Sequence, residues 1–264
     1  NIGGQTRKVI MQAPKNGFFY VLDRQTGQFI SAEKFVKVTW ASHVDPKTGR
    51  PAEDTTVTDY SKELKMIMPT PLGAHNWHPM SYSPLTGLVY MPTQDIAFPF
   101  LNDPNYQPSK RGFNLGIVPL PDPEDDASVK QIVEGSIGYL QAWNPVTQKE
   151  AWKITYKRPL NGGVLSTAGN LVFIGTAEGR IFAYSADKGQ QLWEAPAQTG
   201  IIAPPISYAI DGEQYVTVMA GWGGVLGAVG GEIAADGAGA FRGEREREEP
   251  IVFGGGGLHA RQRG

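Results

Sequence analysis

The unit Leu171–Gly175, Gly179–Tyr184 and Gln191–Glu194 reads as strands whose apolar and polar residues alternate with a period of two. That period sets one face of each segment against a core and the other towards water, as in half-buried antiparallel strands. Gln214–Ala220, after an Asp211-Gly212 turn and before Gly221-Trp222-Gly223-Gly224, reads as a further strand. So does the aromatic and β-branched run Phe18-Phe19-Tyr20-Val21-Leu22, which is taken as the outer edge of its sheet. Helical windows are scarce, because Gly or Pro interrupts the i, i+3, i+4 spacing almost everywhere.

Short turns of one pattern punctuate these strands. They are Asp23-Arg24-Gln25-Thr26-Gly27, Ser83-Pro84-Leu85-Thr86-Gly87, Asn144-Pro145-Val146-Thr147-Gln148 and Ala186-Asp187-Lys188-Gly189. An Asp or Asn side chain caps its own turn, Thr holds it, and Gly supplies the positive φ that reverses the chain. A large residue a few places later, Trp152 or Trp193, is expected to pack between neighbouring sheets. The spacings, roughly 60, 60 and 40 residues, lie in or above the range of propeller blades. The chain therefore reads as all-β, a partial β-propeller of about four antiparallel four-stranded blades. Four blades can close a ring, but the excursions and the abrupt start in mid-blade favour an open half of a larger one.

Two segments break the pattern. Phe98 to Asp126 is rich in Pro, Asn and Asp and reads as a long inter-strand excursion. Residues 225–264 are glycine-rich, carry the mixed-charge run Arg242–Glu249, and hold one apolar remnant, Ile251-Val252-Phe253. Residues 1–224 are thus expected to form the propeller part and 225–264 a disordered or aberrant tail.

Composition narrows the function classes. The chain has 33 glycines, 20 prolines and no cysteine, with a net charge of -2. Without cysteine there is no disulfide framework, thiolate metal site or cysteine nucleophile within it. The weak net charge gives no basic field for nucleic acid. No apolar run is long enough to span a bilayer as a helix, and the polar start, Asn1 to Lys8, does not read as a signal peptide. His75 and His78 lie three residues apart, but Pro79 and the flanking Gly and Pro argue for loop or strand, where both are structural. Asp125-Asp126 and Glu248-Glu249 read as solvated surface charge. No metal ligands are assigned.

Ala13-Pro14-Lys15-Asn16-Gly17 leading into Phe18–Arg24, Asn76-Trp77-His78-Pro79-Met80-Ser81-Tyr82, Asn161-Gly162-Gly163 continuing to Phe173, Gly175-Thr176-Ala177-Glu178-Gly179 and Gln198-Thr199-Gly200-Ile201 have a common source. Over residues 7 to 224 the chain resembles the C-terminal half of the catalytic domain of PQQ-dependent (quinoprotein and quinohemoprotein) alcohol dehydrogenases. The resemblance implies an eight-bladed propeller with pyrroloquinoline quinone (PQQ) and calcium on its axis. It implies that a small primary or secondary alcohol is oxidised to an aldehyde or ketone in the periplasm, with a cytochrome c-type electron acceptor. Lys15 matches the family's cation against the adjacent quinone oxygens, a buried nitrogen that stabilises charge developing there. On context alone Lys15 is equally a solvated loop lysine. Asn76 matches an asparagine that hydrogen-bonds the cofactor, and otherwise is a turn residue before Trp77. Asn161, Gly162 and Gly163 match a segment that approaches the PQQ carboxylates, or form a plain inter-blade turn. Trp222 closes the site or walls the substrate channel, or packs between blades. The catalytic aspartate, the calcium ligands and the tryptophan that stacks on the quinone belong to the family's N-terminal half and have no counterpart here, so this chain alone is expected to be inactive. A scaffolding propeller keeps the turns but has no use for Ala-Pro-Lys-Asn-Gly or Asn-Trp-His-Pro, and a sugar-oxidising quinoprotein is the nearer alternative.

Overall fold

The computed structural model describes residues 1–108, 110, 114–118, 135–221, 249–255 and 258–261. They fall in two compact units, residues 1–76 with 95–136, and residues 77–94 with 137–264.

In the first unit β1 (Val9–Gln12), β2 (Phe18–Asp23) and β3 (Phe29–Lys34) form an antiparallel sheet with β2 in the middle. The run Phe18–Leu22 is therefore interior and not the edge that the sequence suggests. Short β1 pairs along its other side, Val9 opposite Asp23. Burial of Phe18, Phe19 and Val21 follows from this central place. Two further antiparallel pairs belong to this unit: β4 (Ala41–Val44) with β5 (Pro51–Glu53), and β6 (Lys65–Ile67) with β9 (Phe98–Phe100). The excursion that begins at Phe98 thus opens with a strand, and Asn102 bridges to Ile117 beyond it. One short helix, α1 (Thr55–Thr58), is capped by the Asp54 carboxylate accepting from the Thr56 N–H.

The second unit contains three four-stranded sheets. The first holds β7 (Ser81–Ser83), β8 (Leu88–Asp95), β10 (Ile137–Asn144) and β11 (Lys149–Tyr156), in the order β11-β10-β8-β7. The second is a plain meander of β12 (Val164–Ser166), β13 (Leu171–Gly175), β14 (Arg180–Ser185) and β15 (Gln191–Pro196). The third is β16 (Ile206–Ile210), β17 (Glu213–Ala220), β18 (Glu249–Gly255) and β19 (Leu258–Arg261). Two stretches of the segment expected to form a tail are thus strands, with Val216 opposite Phe253. The second edge of β17 carries backbone N–H and C=O groups that need partners, and β18 supplies them.

The turns close as their side chains dictate. Asp23 Oδ1 accepts from the N–H groups of Gln25 and Thr26, both at 2.9 Å, and Gly27 N–H donates to Asp23 O at φ 73°. Equivalent bonds close Ser83–Gly87, Asn144–Gln148 and Ser185–Gly189. In the last of these the capping position is Ser185, one place before the Ala186 that the sequence suggests, and its Oγ accepts from Gln190 N–H. Gln148 occupies the glycine position at φ 55°. A fifth copy, Asp45–Gly49, joins β4 to β5. It escapes notice in the sequence because the strands beside it are too short to show an alternation.

The sheets of the second unit are joined by aromatic side chains lying on glycine. A Cβ at Gly189 would fall 2.7 Å from the Trp152 ring. The Trp152 Nε1–H donates to Ala186 O at 3.1 Å, and the fully buried Tyr90 hydroxyl donates to the same oxygen at 2.9 Å. Tyr90 has one proton to give, so Thr86, 2.6 Å away, donates to the Tyr90 oxygen. One sheet on, Trp193 packs with Ile181 and Ala195 against Val218 and Ala220. At Gly175 the fit is tighter still, because a Cβ there would lie 2.1 Å from Ile201 Cγ2.

Gly175→Ala is expected to cost about 3 kcal/mol in urea unfolding through overpacking. Gly87→Ala, at φ 69° with open space around it, is expected to lose only about 1 kcal/mol from backbone conformation. Equal losses would show that the contact with Ile201 is not what requires glycine. Acid stability offers a second check. The N–H groups of Thr26 and Gln25 hold the Asp23 carboxyl below its usual pKa. Its contribution is therefore present above about pH 4 and lost as pH falls through the lower folded value. Asp23→Asn, which keeps the acceptor but does not titrate, is expected to show a smaller drop in melting temperature between about pH 5 and pH 2. Parallel profiles would contradict this.

Candidate functional site

In the first unit the loop Ala13–Gly17, which joins β1 to β2, is bound to the loop Thr70–Asn76. Each is shaped by its own turn chemistry. Gly17, at φ 90°, ends the first, and its missing Cβ makes room for Val38. Asn16 Oδ1 accepts from Phe18 N–H, and its amide donates to the Tyr20 hydroxyl. In the second loop the Thr70 carbonyl accepts from Gly73 N–H at 2.8 Å, and its Oγ1 from Leu72 N–H at 3.0 Å.

Three hydrogen bonds tie the loops together. Ala74 N–H donates to Lys15 O at 3.0 Å, and the Lys15 ammonium donates to Pro71 O at 3.2 Å. His75 Nδ1 lies 2.6 Å from Ala13 O. A carbonyl only accepts, so Nδ1 carries the proton. Buried His75 is thus held to the first loop through its Nδ1–H. Asn76 donates through Nδ2 to Leu72 O at 3.0 Å.

This clamp brings Lys15 and Asn76 onto the same pair of loops. It does not bury the lysine. Lys15 is exposed, whereas the resemblance implies a buried nitrogen. The reason is that its stem crosses Gly73 and its amine ends on a neutral carbonyl at the loop surface. An ammonium has three N–H donors, and this carbonyl takes one. Pro71 and Gly73, which hold the lysine, were not legible as site residues. The only signal was a Pro-Leu-Gly turn before Ala74-His75.

In the second unit Asn161 is buried, with Nδ2 donating to Arg158 O at 3.0 Å and Oδ1 accepting from Ala177 N–H at 3.1 Å. Gly162 N–H donates to Gly175 O at 2.9 Å. A Cβ at Gly162 would lie 2.8 Å from Ala203 O, and one at Gly163 would lie 2.6 Å from Pro79 Cδ. The glycines are required by contacts of the protein with itself, a different reason from the close approach of a ligand. The Gly162 N–H does not fit a carboxylate-binding role, because Gly175 O already accepts it. Asn161 acts here as a brace between the turn that joins β13 to β14 and the segment after β11. His78 is buried, and Trp77, half exposed, stacks on it at 4.2 Å. Trp222, Asp125, Asp126 and Glu248 lie outside the described residues. Among the described residues no three His, Cys, Asp or Glu side chains gather as a metal-binding group, and no helix is long and apolar enough to cross a membrane.

A family model described as the β-propeller domain of PQQ glucose/ethanol/alcohol dehydrogenases matches residues 126–216. The chain is 53% identical over 232 residues to the quinohemoprotein alcohol dehydrogenase ADH IIB of Pseudomonas putida, a match covering 88% of this chain and 33% of that protein. It is 46% identical over 235 residues to the 1-butanol dehydrogenase (cytochrome c) of Thauera butanivorans, covering 86% of this chain and 33% of that one. The solved structure of quinohemoprotein alcohol dehydrogenase ADHIIG from Pseudomonas putida HK5 superposes with a TM-score of 0.83 at 45% identity. That superposition covers 89% of this chain and 35% of that one. The chain thus spans about a third of the length of the curated relatives it matches. It belongs to the PQQ-dependent quinoprotein and quinohemoprotein alcohol dehydrogenase family of β-propellers.

Proposed function

We propose that this chain forms the cofactor-facing part of a periplasmic PQQ-dependent alcohol dehydrogenase that oxidises a small alcohol to an aldehyde or ketone and passes electrons to a c-type cytochrome. The observation that carries the reading is the clamp of Ala13–Gly17 on Thr70–Asn76, which holds an ammonium and a carboxamide on two hydrogen-bonded loops. When bound, PQQ supplies an electron-poor quinone that takes two electrons from the alcohol.

Lys15 and Asn76 fit that group. The ammonium leaves a neutral acceptor, Pro71 O, for a quinone oxygen on which negative charge develops. Fixed positive charge at that oxygen lowers the barrier more than it stabilises the ground state. Asn76 keeps its own carbonyl as an acceptor and has a second N–H to give, so one side chain can meet a donor and an acceptor on the same ring. Asn161, Gly162 and Gly163 act indirectly, by fixing the backbone of the segment they occupy. The general base and the calcium ligands come from the part of the family's propeller that precedes this one, so the chain alone binds PQQ without turning alcohol over.

PQQ quenching of protein fluorescence tests the reading. Lys15→Ala is expected to weaken binding about 30-fold, the effect of losing one charge-assisted hydrogen bond of about 2 kcal/mol. Lys15→Arg should retain most of the affinity, since the charge remains. Equal affinity for wild type and Lys15→Ala would overturn the assignment of Lys15. Turnover of 1-butanol by the chain alone, with PQQ, calcium and an artificial dye acceptor, would overturn the placing of the base elsewhere.

A further inference from the structure

Gly73 stands out among the glycines, because the atoms that fill its Cβ position belong to the side chain proposed above as the cofactor's cation. An ideal Cβ at Gly73 would lie 2.5 Å from Lys15 Cγ and 2.7 Å from Lys15 Cβ. It would also lie 2.8 Å from His75 O. Real Cβ contacts are never this short, so any side chain at 73 displaces either the lysine stem or the backbone of the loop. Gly73 also sits at φ 84°, where glycine alone is unstrained. Both demands meet at one residue for one geometric reason. The turn Thr70–Gly73 brings the chain back under Lys15, and Ala74 N–H then binds Lys15 O.

The lysine is thereby held at three levels. Its carbonyl is fixed by Ala74 N–H, its Cβ and Cγ lie in the volume that Gly73 leaves, and its amine rests on Pro71 O. A lysine stem has four rotatable bonds and loses rotamer entropy when ordered. A stem packed into a glycine notch has lost part of that freedom before any ligand arrives. The neutral Pro71 carbonyl is the weakest of the three restraints, and an acceptor carrying negative charge displaces it.

We propose that Gly73 is a positioning residue. Its missing side chain forms the notch that sets the Lys15 stem, and Pro71 O is the resting acceptor from which the amine moves to an anionic ligand. The inference rests on the assignment of Lys15 as the group facing PQQ, and the experiment separates the two.

Acylation of Lys15 by N-hydroxysuccinimidyl acetate is followed in the full chain by peptide mass spectrometry, with Lys34 as the internal reference. Gly73→Ala and Gly73→Asn are compared, the second because asparagine tolerates positive φ yet still brings a Cβ. Both are expected to change the relative Lys15 rate about threefold or more, as loss of one ordinary hydrogen bond does. Gly27→Ala, at φ 73° with open space around it, is expected to leave that rate unchanged. An unchanged Lys15 rate in a folded Gly73 variant overturns the proposal. Should both variants fail to fold, Gly73→Ala is placed in a Lys15→Gly background. Recovery of cooperative unfolding there supports the notch, and no recovery overturns it. PQQ is added in a parallel arm. Protection of wild-type Lys15 supports its role as the cofactor's cation. Absence of protection overturns that role, while a changed rate in the Gly73 variants still establishes the contact.

Discussion

The contact on which the second unit depends is that of the Trp152 indole with the bare Cα of Gly189. A flat ring can lie on a glycine closely enough for its N–H to reach the Ala186 carbonyl next door. Burial of the ring and satisfaction of a buried acceptor then come from one side chain. Tyr90 donates to the same oxygen, so two sheets meet on a single peptide group. A carbonyl has two lone pairs, and both are used. Packing of this kind leaves no slack, because each sheet sits at a distance set by backbone instead of by deformable side chains.

That rigidity reaches the loops at the other end of the strands. Val164 N–H donates to Pro79 O, and Gly163 is wedged between Pro79 and Pro204. The Asn161 amide braces Arg158 O and Ala177 N–H across the same region. A buried amide with protein partners at both ends costs little in desolvation and fixes two backbone segments at once. Loops held this way can present groups to a ligand without being reordered when it binds.

The first unit solves a different problem. Here a long flexible cation must be placed, and the fold does so with small residues and carbonyls instead of a carboxylate. An ion pair would hold the ammonium more firmly but would neutralise it towards a negative ligand. A neutral carbonyl orients the amine and leaves its charge available. The histidine bond to Ala13 O and the bond from Ala74 N–H secure the backbone on either side, so only the end of the lysine remains free to move.

Strand alternation, the Asp- and Asn-capped turns and the tryptophans that follow them were legible in the chain, because each is a local rule. Period two marks a half-buried strand, and a carboxylate four residues before a glycine marks a turn, wherever they lie. Hence the strands within Leu171–Trp193 were readable, although β13 and β14 are buried on both faces and not on one as a period of two implies. Position within a sheet was not legible. Phe18–Leu22 looks the same as an edge or a central strand, and only the pairing of Val9–Gln12 decides it. Nor could residues 249–261 be read as strands, since what draws them in is the open edge of β17, distant in sequence. The notch under Lys15 was hidden for the same reason. Sequence by itself determined which residue types could serve the chemistry and which segments alternate. Tertiary structure alone decided that Gly73 lies under Lys15 and that Asn161 faces protein, because both depend on contacts between segments whose separation along the chain carries no trace of their meeting.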